Sequence, residues 1–242
     1  MRYQGSKSKI AKYILPIVTA NLTEDRCYVE PFMGGCNTFS LVDTSNKIGN
    51  DYNLYVVEMW KAFQNGKKPI SAITLEQYND IKKSYQNKDG KYPMWLIGYV
   101  GNACSYGSGW WNGYAHKNLN KNEDHIKEAY NGTIKQIEKF KHLKEATFTY
   151  GSYDKMYIPN NSIIYCDPPY ACTKKYESDF DNVAFWDWCR LMKSKGNEVY
   201  ISEYSAPSDF TCVWSKEVKD GMGTYKFGSK QKNKVEKLFT LL

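Results

Sequence analysis

A short apolar run, Ile163-Ile164-Tyr165-Cys166, stops abruptly at Asp167-Pro168-Pro169-Tyr170. Proline has no backbone N–H to give a sheet ladder and its φ is fixed, so a strand does not continue through two of them. The run therefore reads as a buried strand whose carboxyl end is set at the acid. A similar pattern stands near the start of the chain. Cys27-Tyr28-Val29 leads into Glu30-Pro31-Phe32-Met33-Gly34-Gly35, a strand followed by a tight glycine turn. Lys47-Ile48-Gly49-Asn50 is a third short run, ending on Asp51. Acids at the carboxyl ends of parallel strands stand where α/β sheets place their ligands.

Helical periodicity fills the intervals. Residues 8–20 carry Ile10, Ile14, Leu15 and Ile17 on one face, with Pro16 expected to end or kink the helix. Thr38-Phe39-Ser40-Leu41-Val42 is expected to open a helix after the first strand, and residues 53–63 read as a second helix. From about residue 66 the composition shifts to lysine, asparagine, tyrosine and glycine. The stretch 101–117 reads as loop or hairpin, with Trp110 and Trp111 either in a core or facing a partner. Residues 122–143 read as a helix capped by Asn122, with Glu123 and Asp124 in its first turn. The strand pattern resumes at Ala146. A helix follows at 184–192, a strand at 197–204 that ends in Ser202-Glu203-Tyr204, and two more strands at 210–214 and 234–242. The expected organisation is one α/β domain from 1–65 and 146–242, holding a mainly helical insert at 66–145.

The chain's 242 residues and 42% hydrophobic content suffice for a core. No run approaches the roughly 18–20 apolar residues of a membrane span, and the N-terminus lacks the apolar segment of a secretory signal. Seven cysteines, an odd number without CxxC pairs, and three scattered histidines fit neither a disulfide framework nor a zinc site. A reducing cytoplasm is the expected compartment. The formal charge of +7 and an aromatic content of 16% suit an anionic, nucleic-acid partner.

The opening tetrapeptide has a definite chemistry. Two prolines remove two donors and leave their carbonyls, so an Asp167 oxygen and the Pro168 carbonyl can face one donor group. A planar amino group offers two hydrogens, and Tyr170 can stack on the ring that carries it. Hydrogen bonds drawn toward these acceptors leave the nitrogen lone pair available for attack.

Asp-Pro-Pro-Tyr, together with Glu30-Pro31-Phe32-Met33-Gly34-Gly35 and an N-terminal Tyr3-Gln4-Gly5-Ser6-Lys7, resembles the DNA adenine-N6 methyltransferases of the Dam-like group of bacteria and their phages. The resemblance covers nearly the whole chain in the family's order: cofactor motif, recognition segment, Asp-Pro-Pro-Tyr. It implies a Rossmann-like α/β sheet, S-adenosyl-L-methionine as cofactor and double-stranded DNA as substrate, with no obligate protein partner. Asp167, Pro168, Pro169 and Tyr170 would be the catalytic residues, acting on a flipped adenine. The cofactor would be held by Tyr3, Gly5, Lys7, Glu30, Pro31, Phe32, Gly34, Asp51, Ser152, Tyr153 and Asp167. In that assignment Glu30 balances a cationic group and Asp51 accepts the ribose hydroxyls. Ser152 stands where relatives often carry an acid, so either it or Asp154 contacts the cofactor adenine. Ser202, Glu203 and Tyr204 would flank the target base. Cytosine-N4 or RNA-adenine methylation, and a degenerate DNA-binding relative, are the alternatives.

Overall fold

The computed structural model of the chain describes residues 1–117, 123–169, 180–219 and 233–242. Among the described residues the sheet has seven strands: β1 (Tyr28–Glu30), β2 (Lys47–Asp51), β3 (Thr147–Tyr150), β4 (Ile163–Cys166), β5 (Glu198–Glu203), β6 (Thr211–Lys219) and β7 (Asn233–Thr240). Their spatial order is β3-β2-β1-β4-β5-β7-β6. The first five run parallel, and β7 enters antiparallel beside β5 with β6 outside it. This is a doubly wound, Rossmann-like sheet closed by an antiparallel pair. The order reverses between β1 and β4, the topological switch point at which such sheets bind ligands.

Six helices accompany it among the described residues: α1 (Ala11–Val18), α2 (Leu54–Gln64), α3 (Leu75–Asn87), α4 (Met94–Ala103), α5 (His125–Lys139) and α6 (Asn182–Ser194). Alternate residues of the strands face two cores. Tyr28, Ile163, Tyr165 and Tyr200 pack toward α1, α2, α4 and α5. Val29, Ile164, Val199 and Ile201 pack toward α6. Burial on both faces explains why these strands are apolar throughout. No helix among the described residues is long and apolar enough to cross a membrane.

Several sequence expectations change. Thr38–Val42 opens no α-helix; only a 3-10 turn, Phe39–Leu41, joins β1 to β2. The next residues, Asp43-Thr44-Ser45-Asn46, favour turns, and the chain must re-enter the sheet at Lys47. The loop expected from residue 101 begins later, because Gly101, Asn102 and Ala103 complete α4. The cap of α5 is Asp124, which accepts from the Lys127 N–H at 3.0 Å; Asn122 lies outside the described residues. Pro16 does not end α1 but stands inside it. Trp111 is buried, in ring contact with Tyr78, Tyr85 and Trp110, so this pair belongs to a core.

Lys47 ties the 3-10 turn down. Its buried ammonium donates to Phe39 O (3.3 Å), Val42 O (2.9 Å) and Lys141 O (2.7 Å), and lies over the Phe140 ring. Lys47→Met keeps the bulk but leaves these carbonyls without their donor. Each unsatisfied buried acceptor costs about 1–3 kcal/mol, partly offset here by relief of a buried charge. The variant is expected to lose about 3 kcal/mol of stability in urea unfolding; an unchanged midpoint would refute this role.

Candidate active site

β1 and β4 end side by side at the switch point, β1 on an acid and β4 just before one. Glu30, the last residue of β1, is 2% exposed. Its carboxyl accepts from the Tyr28 hydroxyl (2.7 Å) and the Thr38 hydroxyl (3.0 Å). Tyr28 lies two residues back on the same strand face, so strand periodicity itself supplies one partner. Burial drives the Glu30 pKa up to about 8, against the two hydroxyls that favour the ionised form.

A carboxyl raised in the fold stabilises it fully below its unfolded value of 4.5, and that contribution is lost as pH climbs through about 8. Glu30→Gln, which carries no titrating proton, should remove that loss. Unfolding free energies of the protein alone, from urea titrations between about pH 5 and pH 9, are expected to diverge in the variant's favour by a few kcal/mol at the alkaline end. Parallel pH profiles would show that Glu30 does not titrate in this range.

The glycine turn after β1 is built against two neighbours. Gly34 has φ +44°, and a Cβ there would lie 2.7 Å from the Tyr3 ring; a Cβ on Gly35 would lie 2.6 Å from Tyr3. Tyr3 therefore sits directly on this turn. The Gly34 N–H donates to Asp51 (2.9 Å) and its carbonyl accepts from Trp60 (3.0 Å). Cys36, the second residue after Gly34, itself adopts φ +51°. Asp51, at the end of β2, also accepts the Asn53 N–H at 2.8 Å. Asn53 rather than Asp51 caps α2, accepting from the Tyr55 N–H. Burial pushes the Asp51 pKa up to about 6 against these two N–H donors. With one N–H on each oxygen, the carboxylate retains acceptor sites.

On the other side of the sheet, Phe32 and Tyr153 come together at a centroid distance of 5.4 Å. Both contact Phe180 and Phe185, and Tyr153 stands edge-on to Trp188. Ser152 donates to Asp154. A groove of about 170 Å³ runs along the β3 edge beside Ser152, lined also by Asn50, Thr149, Met156 and Tyr157. Neither Asp167 nor Glu30 lines it. Pro31 is buried, and its carbonyl accepts from Asn50 at 3.1 Å.

Asp167 follows β4 directly, with Pro168 buried behind it and Pro169 half-buried. Asp167 is 3.0 Å from the Lys7 ammonium, which also lies 3.3 Å from Gly5 O. Gly5 serves a tight turn, with φ +81° and a Ser6 N–H to Tyr3 O bond, that brings Lys7 back over the strand ends. Tyr170 lies outside the described residues. Ser202 shares a 2.8 Å hydrogen bond with Tyr165, the Glu203 carboxylate accepts the Tyr204 N–H, and Lys234 lies over the Tyr204 ring. Tyr3, Gly34 and Asp51 thus form one connected group, Lys7 and Asp167 a second, and Phe32 and Tyr153 a third. Reading the residues in order did not single out Trp60, Thr38 or Glu236. The first two are hydrogen-bond partners that only the fold reveals, and Glu236 is one charge among many in a basic tail.

A doubly wound sheet with Asp-Pro-Pro after its central strand is the α/β architecture in which ligands generally bind over the switch point, here between β1 and β4. The chain belongs to the D12 class N6 adenine-specific DNA methyltransferases, whose family model matches residues 3–220. It is similar to the modification methylase StsI of Streptococcus sanguinis, 28% identical over 213 residues. It is also similar to the type II methyltransferase M.FokI of Planomicrobium okeanokoites, 25% identical over 212 residues. Each match takes in 81% of this chain and 32% of the relative, so the chain spans about a third of their length. A crystal structure of SMU.472, described as a methyltransferase complexed with SAH, aligns over 99% of this chain and 54% of that one, with a TM-score of 0.36 and 11% identity.

Proposed function

We propose that this protein transfers a methyl group from S-adenosyl-L-methionine to N6 of a flipped adenine at specific sites in double-stranded DNA. The observation that carries the reading is Asp167 with its two prolines at the β1/β4 switch point, in a chain of the D12 family. The residues present fit the cofactor. Asp51 keeps acceptor sites for a ribose diol, and the Glu30 carboxyl, with a pKa of about 8, would be drawn into its ionised form by a neighbouring cation. Phe32 and Tyr153 would supply the apolar wall on the other side, and Tyr3, Gly5, Pro31, Gly34 and Ser152 the surrounding backbone and rim.

When bound, the cofactor supplies an electrophilic methyl whose carbon–sulfur electron pair returns to sulfur as the N6 lone pair forms the new bond. Asp167 and the Pro168 carbonyl would accept the two N6 hydrogens and aim the lone pair, and Tyr170 would stack on the base. Asp167 or solvent takes the proton that N6 then sheds. This is catalysis by positioning and by preorganised acceptors. Extruding the base costs a few kcal/mol, and Ser202, Glu203 and Tyr204 would border its pocket. Residues 66–145 would recognise the target sequence, with 1–65 and 146–242 as the catalytic domain. Lysines there and in the C-terminal strands would bind phosphates, giving salt-sensitive affinity. The protein would act in the cytoplasm of a bacterial or phage-infected cell.

Incubation with tritiated S-adenosylmethionine and unmethylated DNA, followed by nucleoside analysis, tests the reading. Label in N6-methyladenine is expected. Label in N4-methylcytosine, or only with RNA, would overturn the substrate assignment. Cofactor binding without transfer to any nucleic acid would overturn the activity.

A further inference from the structure

Asp167 has a second carboxylate for a neighbour-but-one. Lys7 stands 3.0 Å from Asp167 Oδ1 and 3.9 Å from Glu236 Oε2, a residue of β7. The family match ends at residue 220, so Glu236 comes from beyond it. The antiparallel register brings it there: Lys237 pairs with Glu203, and Glu236 shares the strand face of Leu238, toward α1. Asp167 is the most open of the three side chains, at 23% exposed against 14% for Glu236 and 8% for Lys7. Asp167 therefore stands nearest the surface, with Lys7 and Glu236 behind it.

This arrangement bears on the transfer. As the N6–carbon bond forms, N6 becomes cationic before it loses its proton. A lone ammonium 3.0 Å from the acceptor would oppose that charge. Two carboxylates about one ammonium leave the group at minus one, which suits one arriving positive charge. We infer that Glu236 is a positioning residue for the methyl transfer: it holds the Lys7 ammonium behind Asp167 and keeps the acceptor group net negative. The inference rests on the methyltransferase reading above. The balance at Lys7 agrees with it: burial lowers its pKa, but Asp167 and Glu236 more than restore it, leaving it above the usual lysine value. Tyr204, with Lys234 over its ring, also faces Lys7.

The test compares the full chain with Glu236→Gln, Glu236→Asp, Lys7→Met and the Lys7→Met/Glu236→Gln double variant. Single-turnover transfer is measured at saturating cofactor and DNA, and the Lys7 Nζ of the protein alone is titrated by ¹⁵N NMR. Glu236→Gln is expected to slow transfer about tenfold to a hundredfold, with half-saturation by DNA and cofactor within a few-fold of wild type. Glu236→Asp should recover most of the rate. Lys7→Met should make the Glu236→Gln protein faster, since removing the ammonium restores the net charge. The Lys7 ammonium should titrate at lower pH in Glu236→Gln. A folded Glu236→Gln protein with an unchanged rate, or a double variant slower than both singles, would overturn the inference while leaving the methyltransferase reading intact. A wild-type chain that transfers nothing to DNA would overturn that reading and this inference with it.

Discussion

Asp167→Ala is expected to abolish methyl transfer, by at least about a thousandfold, while S-adenosylmethionine still binds within a few-fold of wild type. The asymmetry follows from where the side chain stands. Asp167 follows β4, beside the end of β1, and its ionic partner is Lys7. The carboxylates proposed to hold the cofactor, Glu30 and Asp51, hang from β1 and β2 and keep their own hydrogen bonds to Tyr28, Thr38, Gly34 and Asn53. Removing Asp167 would take away the proposed acceptor for the target amine without loosening those groups. Lys7 retains Glu236, so the buried ammonium is not stranded. Asp167→Asn, which preserves shape and one acceptor oxygen but not the charge, should be impaired less than alanine. Turnover of the alanine variant within tenfold of wild type would remove Asp167 from the chemistry.

Gly98→Val should be the most damaging single change to the fold. A Cβ at Gly98 would lie 2.1 Å from the Tyr55 carbonyl oxygen, a backbone atom of α2 that cannot swing aside. Helices α2 and α4 cross at contact there, so any side chain forces them apart. Overpacking of this kind costs about 3 kcal/mol or more, against a total stability of about 5–15 kcal/mol for a typical domain. Gly98→Ala would recover about 1 kcal/mol in helix propensity yet still meet the clash. Thermal and urea unfolding of both variants would decide the matter; a Gly98→Val protein with wild-type stability would mean the helices have room to part.

That crossing also explains why part of the fold was hard to read. Glu30-Pro31, Asp51 and Asp167-Pro168 announced the ends of β1, β2 and β4 because proline, glycine and acids punctuate strands locally. Gly101, inside α4, reads as a loop residue by the same rule. Gly98 is small because α2 passes at contact, and Gly101 because the Trp110 ring would lie 2.7 Å from its Cβ. Both reasons are tertiary and leave no trace in the neighbouring sequence. The 3-10 turn at Phe39–Leu41 was misread as the start of a helix because its apolar residues fit either form; the distance back to β2, fixed by the sheet, allows only one turn. At the site, side chains at strand ends were legible from position alone. Their partners were not, since Lys7 meets Asp167 across 160 residues of chain and Glu236 arrives through an antiparallel register.

The strand order also sets a timetable for synthesis. β1 pairs with β2 within a stretch of 24 residues, Tyr28 to Asp51, but its other neighbour is β4, where Tyr28 meets Ile163. Contacts so distant in sequence form late, and chains emerge from the ribosome amino end first. Until residue 166 is free of the exit tunnel, β1 presents an unpaired apolar edge, and the crevice that would hold the ligand does not exist. The helices of residues 75–139, all translated in that interval and packed in one core with β1 and β2, are in place to shield the nascent half-sheet from partners other than its own second half.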